Sequence, residues 1–173
     1  MVIMKNEFYN LALKRRSVRK FKSDLIKDED ISYLLEVAMS APSACNKQPW
    51  EFFVIKDSAT LERLRTASKY SKIVAPLAIV VCGNLNRSLS KKDNDFWIQD
   101  ASSAITHILL GVTALDLGAV WCGGYPLKSV VNNIKEILNL GDELIPLGTI
   151  LIGHPDEEKE PRTQYNQNYV HII

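Results

Sequence analysis

The chain is short of the features that identify many functional classes outright. Its 173 residues include three cysteines, Cys45, Cys82 and Cys122, an odd count with no C-x-x-C spacing. A disulfide framework and a structural zinc site are therefore not expected, and a reducing, cytoplasmic setting fits best. Neither sign of charge is in excess. The formal net charge is +1, which points to no bulk attraction toward nucleic acid or a membrane. The longest apolar run, Ile73 to Cys82, is too short to span a bilayer and has the length of a buried strand. The segment MVIMKNEFYN lacks the apolar centre of a signal peptide. There is no G-x-G-x-x-G, no G-x-x-x-x-G-K-[ST] and no H-E-x-x-H. A classical dinucleotide fold, a P-loop and a zinc-protease helix are thus unsupported. Ser88-Leu89-Ser90-Lys91 fits S-x-x-K, but the companion motifs are missing and it lies in a polar loop.

What is present reads as one soluble domain over residues 1–173, with helices and strands alternating in an α/β or α+β arrangement. Phe8, Leu11 and Ala12 have helical spacing and predict a helix ending near Arg15 or Arg16. Asp28 to Ser40 is a second helix with an acidic start, a core face of Ile31, Leu34, Leu35 and Ala38, and Pro42 beyond it. Strands are predicted at Glu51–Lys56, Leu77–Cys82, Ala119–Cys122 and Ile145–Ile152. A third helix carries Leu61 and Leu64, and another covers Val130–Leu138. The long segment Phe96 to Leu117 has apolar residues spread widely around a helix, which predicts a central element, with Gly118 as its stop. The tail 154–173 begins polar and ends in Tyr-Val-His-Ile-Ile, so it must pack on the body or on a second copy.

Three segments could carry chemistry. Arg15-Arg16-Ser17-Val18-Arg19 places guanidinium forks and a hydroxyl just after an apolar helix, a set suited to phosphate oxygens. It also suits a solvated basic helix end, the commoner arrangement. The loop Pro42-Ser43-Ala44-Cys45-Asn46-Lys47-Gln48 holds more hydrogen-bonding groups than a turn needs, although Ser43, Asn46 and Gln48 could serve local backbone groups alone. Pro49 predicts an extended Gln48. Gly123-Gly124 after a strand allows close backbone approach to a ligand, or a plain turn. Arg162 is a second phosphate ligand or a solvated tail residue. His107 reads as a core histidine. Cys45 could be a nucleophile, although nothing in the sequence sets a histidine beside it.

Taken in order, R-R-S-V-R, then A-P-S-A-C-N-K-Q-P-W-E-F, then G-A-V-W-C-G-G-Y, then L-G-T-I-L-I-G-H-P and a tail with P-R, the chain resembles the nitroreductase family of flavin enzymes over nearly its whole length, and its shorter members in particular. The resemblance implies an α+β sandwich around a mixed, mainly antiparallel sheet flanked by helices. It implies an intertwined homodimer with two FMN molecules at the subunit interface and the tail 154–173 packed on the partner. By the same resemblance, Arg15 and Ser17 hold the FMN phosphate and ribityl side, and Arg16 lends backbone contact. Arg19 faces the pyrimidine side of the ring, and Arg162 closes on the phosphate. Gly123 and Gly124 turn backbone N–H groups toward N5 and O4. Pro42, Ser43, Ala44 and Asn46 cover the flavin held mainly by the other subunit. One further polar contact falls to Lys69, Ser71 or Lys72. Two departures from the family pattern stand out: Gln164 where many relatives carry a second tail cation, and Ala44-Cys45 where serine or histidine is common.

The resemblance implies hydride transfer from NADH or NADPH through flavin N5 to a nitroaromatic or quinone-type acceptor, in a ping-pong order. The protein binds and tunes the flavin, and no side chain acts as nucleophile or acid–base group. Arg19 would favour the charge that reduction places near N1 and O2. Two other classes remain at this point: an FMN-binding sensor or storage protein without efficient turnover, and a thiol-dependent hydrolase built on Cys45.

Overall fold

The computed structural model describes residues 7–89 and 95–173. Its centre is a strand whose side chains alternate between two cores. This strand, β2 (Leu77–Asn84), sends Leu77, Ile79 and Val81 to one face and Ala78, Val80 and Cys82 to the other. A run apolar at every position is what burial on both faces requires. Its neighbours are β1 (Trp50–Ile55) and β4 (Leu144–Gly153), and β3 (Gly118–Gly123) pairs with β4, giving the order β1-β2-β4-β3 with every strand pair antiparallel.

Helices cover both faces, so the architecture is an α+β sandwich. On one face α2 (Asp28–Met39) and α4 (Phe96–Ala114) bury Leu34, Ala38, Ala101, Ile105 and Ile108 against Ile79, Ile150 and Ile152. On the other, α3 (Ser58–Thr66) and α5 (Lys128–Leu138) set Leu64 and Ile134 against Val80, Val120 and Leu151. Removing a fully buried side chain such as Leu34 or Ile150 would cost about 2–5 kcal/mol. The first helix, α1 (Glu7–Lys14), lies against α4 and has no fully buried residue.

The predicted elements fall within about two residues of the observed ones, with instructive exceptions. Gly118 does not end α4. Asp116 takes the left-handed turn at φ 56°, and Gly118 opens β3. Its lack of a side chain matters for another reason: a Cβ there would lie 2.9 Å from the side chain of Val18. That close approach lets Val18 donate its N–H to Ala119 O at 2.9 Å and sets Ser17 beside Ala119 in a parallel bridge. Nor is α4 covered all round. Its inner face is buried, whereas Phe96, Thr106 and Ala114 are exposed and Leu110 is half-buried. Of the S-x-x-K match, Ser90 and Lys91 lie outside the described residues.

Candidate functional site

Strand β3 lies at one edge of the sheet, and its backbone groups alternate between its partner and that edge. Gly124 N–H donates to Leu147 O at 2.8 Å, across the ladder. Ala119 O accepts from Val18 on the opposite side. The alternation therefore directs the N–H groups of Trp121 and Gly123 toward the edge. This corrects the expectation for the glycine pair. Gly124 N–H is used by Leu147, and Gly123 alone of the two presents a donor outward. A Cβ at Gly123 would meet nothing within 4 Å.

That space belongs to a cleft of about 650 Å³, within the range of small-molecule and cofactor sites. Gly123, Gly124, Trp121 and Tyr125 form its β3 side, and Tyr70, Ile73 and Leu127 its walls. Among the described residues that line it, the charged ones are Arg19, Lys69 and Lys72, all cations. The indole of Trp121 lies over Gly148 of β4, where any side chain would reach within 2.2 Å of Nε1. Tyr125 meets Trp97 edge to face, with ring centroids 5.0 Å apart. Lys69 Nζ sits 4.9 Å from the Tyr70 ring centroid.

The structure separates the three candidates between α3 and β2. Ser71 is buried, and its hydroxyl is engaged with Leu64 O at 3.0 Å and Ser68 O at 2.9 Å. It faces the α3 turn, whereas Lys69 and Lys72 face the cleft. Cys122 also borders the cleft, but burial pushes its thiol up, against the opposing pull of Arg19, and its Sγ points to Tyr70 O at 3.4 Å. A thiol so held is a poor nucleophile near neutral pH.

Arg19 is placed by its backbone. Its N–H donates to Glu157 Oε1 at 2.7 Å, and Lys159 Nζ lies 2.8 Å from Glu157 Oε2. Those bonds, Lys159 first and Arg19 second, hold the Glu157 carboxyl down to about 2. The same tail then crosses the end of α1. Arg162 N–H donates to Leu13 O at 3.0 Å, and the Arg16 guanidinium donates to Glu160 O. Arg15, Arg16, Ser17 and Arg162 are thus gathered where α1 ends. Among the described residues no ion pair engages Arg15 or Arg162.

The loop Pro42–Gln48 lies elsewhere. It lines a second cavity, of about 290 Å³, with Gln99, Asp100 and Ser103 of α4. The two cavities share no lining residue. The loop is tightly wound: Cys45, Asn46 and Gln48 have φ of 48°, 53° and 47°, a region costly for residues with a Cβ. Gln48 is therefore not extended as Pro49 suggested. Ser43 Oγ accepts Gln48 N–H at 2.9 Å and closes the turn. Asp100 Oδ1 accepts Ala44 N–H at 2.8 Å. Cys45 is exposed, and His107 is engaged with Ser40 and Val37 on the far part of α4. The pair that a thiol hydrolase needs is not assembled there.

Asp100 escaped the sequence reading. The signal was present, since an acidic residue sits one position before Ala101 and four before Ala104 on a buried helix stripe. Tyr70, Trp121, Tyr125 and Leu127 gave no comparable signal, because aromatic and apolar residues line cores as often as clefts.

Comparison with known proteins agrees with this architecture. A model of the nitroreductase family matches residues 12–76 and 66–154. A relative from Archaeoglobus fulgidus, provisionally named NADH dehydrogenase/NAD(P)H nitroreductase, is 36% identical over 162 residues, covering 91% of this chain and 92% of its own. An NADH dehydrogenase of Thermus thermophilus is 30% identical over 179 residues, with 87% of each chain covered. The solved structure of an FMN-dependent nitroreductase from Clostridium difficile superposes with a TM-score of 0.86 at 30% identity, covering 94% of this chain and 97% of that one. A fold shared over nearly the full length and the family match together identify the chain as a member of the nitroreductase family.

Proposed function

We propose that the protein is an FMN-dependent NAD(P)H oxidoreductase that passes reducing equivalents to nitroaromatic or quinone-type acceptors. The observation that carries this reading is the cleft at the β3 edge. It combines the outward backbone N–H groups of Trp121 and Gly123, a lining whose charges among the described residues are all cations, and open space over Gly123. Those features suit a planar, electron-accepting ring whose charge grows on reduction. When bound, FMN supplies the redox chemistry, accepting hydride at N5 from NADH or NADPH and delivering it onward.

The chain's own residues bind and orient. Gly123 N–H is available to the ring's edge. Arg19, whose backbone N–H is bound by Glu157, and Lys69 or Lys72 set positive potential beside it, favouring the charge that grows there. Arg15, Ser17 and Arg162, with Arg16 beside them, form the phosphate end. A guanidinium fork matches phosphate oxygens well. Gln164 adds no cation, so the phosphate grip rests on Arg15 and Arg162.

The loop Pro42–Asn46 lines a cavity that has no residue in common with the cleft of its own chain. The reading that unites them is an intertwined homodimer, in which Pro42, Ser43, Ala44 and Asn46 of one subunit cover the flavin of the other. Supporting it are the exposed Tyr165, Tyr169, Val170, Ile172 and Ile173 of the tail, which suit strand addition on a second copy. Residues 1–173 then form one domain with an exchanged tail. Deleting Tyr165–Ile173 should shift the solution mass toward monomer, and an intact dimer would count against the exchange.

The test of function is the visible spectrum of the purified protein after FMN addition and desalting. Retained flavin that NADH or NADPH bleaches, with parallel lines in two-substrate kinetics, is the expected outcome. Retained flavin that does not bleach would favour a sensor or storage protein. No retained flavin would overturn the reading.

A further inference from the structure

Asp100 is 3% exposed, and only one of its carboxylate oxygens is used. Oδ1 accepts the Ala44 N–H at 2.8 Å, while Oδ2 is buried with no hydrogen-bond partner. A buried acceptor without a donor is costly, and native proteins rarely leave one. The side chain borders the cavity formed with Ser43, Ala44, Gln99 and Ser103. That cavity abuts the strained loop, and Trp97, one helical turn from Asp100, contacts Tyr125 of the β3 cleft. The unused oxygen is thus buried in the wall of this cavity beneath the loop, and among the described residues neither Lys nor Arg lines it.

We propose that Asp100 is a bifunctional positioning residue. Through Oδ1 it pins the loop at Ala44, and through Oδ2 it accepts a hydrogen bond from a neutral donor of bound FMN, a ribityl hydroxyl or the ring N–H. Of FMN's groups only the ribityl hydroxyls and the ring N–H, all neutral, can donate, whereas the phosphate, a second anion, would be repelled. This inference rests on the FMN reading, and it adds a ligand-facing group outside both the β3 cleft and the arginine cluster.

Asp100→Asn is the discriminating variant. The amide keeps an acceptor for Ala44 but presents an N–H₂ group where the carboxylate accepted. With the carboxylate merely structural, the variant would alter apo stability and FMN affinity together or neither. With the proposed role the two separate. The apo melting temperature stays level, since the bond to Ala44 is kept and one unpaired polar atom replaces another, while FMN affinity falls by about 10-fold or more. Wild-type protein is titrated with FMN first, by flavin fluorescence quenching. If wild type binds no FMN, the functional reading fails and this inference with it. If wild type binds and Asp100→Asn binds equally well, this inference alone is overturned. Should Asp100→Asn not fold, Asp100→Ser, too short to reach the ligand, is expected to show the same loss of affinity, and unchanged affinity would again refute the assignment.

Discussion

The cleft at the β3 edge and the loop Pro42–Gln48 are two ways of building a binding surface, and they differ in what holds them. The cleft rides on a hydrogen-bonded ladder. Its outward N–H groups follow from strand alternation, its open space from Gly123, and one of its cations from Arg19, whose backbone Glu157 binds. The loop has no ladder. Three left-handed residues are held by Ser43 at one end and by Asp100 on α4 at the other. The β3 side of the cleft is therefore held by its ladder, whereas the loop depends on a few bonds and on whatever completes Asp100.

The largest expected effect breaks the cleft alone. In Gly123→Leu the new side chain meets no protein atom near its Cβ, so the melting temperature should hold while FMN affinity falls by about 100-fold or more. Parallel losses of both would show that Gly123 serves folding instead. Arg19→Ala comes next. With the cation gone, the bound flavin's two-electron potential should drop by about 30 mV or more, which for a two-electron couple corresponds to about 1.4 kcal/mol. An unchanged potential would remove Arg19 from the ring's surroundings.

Ser43→Ala probes the other region. It removes the acceptor for Gln48 N–H, and the expected cost is about 0.5–1.5 kcal/mol of stability. FMN should bind a few-fold more weakly, a far smaller change than at Gly123, and an effect as large as that of Gly123→Leu would erase the contrast between the regions. The smallest effect concerns pH. The Glu157 carboxyl is held from 4.5 down to about 2. A lowered folded-state value means its stabilising contribution is complete above about 4.5 and is lost as pH falls through about 2. Glu157→Gln should flatten that acid limb in a stability–pH profile and leave the shape above pH 5 unaltered.

Much of this contrast was legible beforehand. Leu77–Cys82 read as a strand buried on both faces because it is apolar at every position, and β2 is that strand. The order of the arginine segment, the polar loop and the glycine pair carried the resemblance to the nitroreductase family, to which the family match assigns the chain. What escaped was hydrogen-bond direction. Sequence could not tell that Gly124 spends its N–H on Leu147 while Gly123 faces outward, since this depends on ladder register. Nor could it separate Ser71 from its lysine neighbours, because turning inward depends on the α3 carbonyls it meets. Gly118 looked like a helix stop, but its role is the close approach of Val18, a contact one hundred positions away along the chain.

The most direct test of the account is a crystal structure of the FMN-loaded protein. The flavin ring is expected at the β3 edge, with Gly123 N–H and Arg19 beside it and the loop Pro42–Asn46 of a second subunit over it. A flavin bound away from β3, or enclosed by one chain alone, would contradict it.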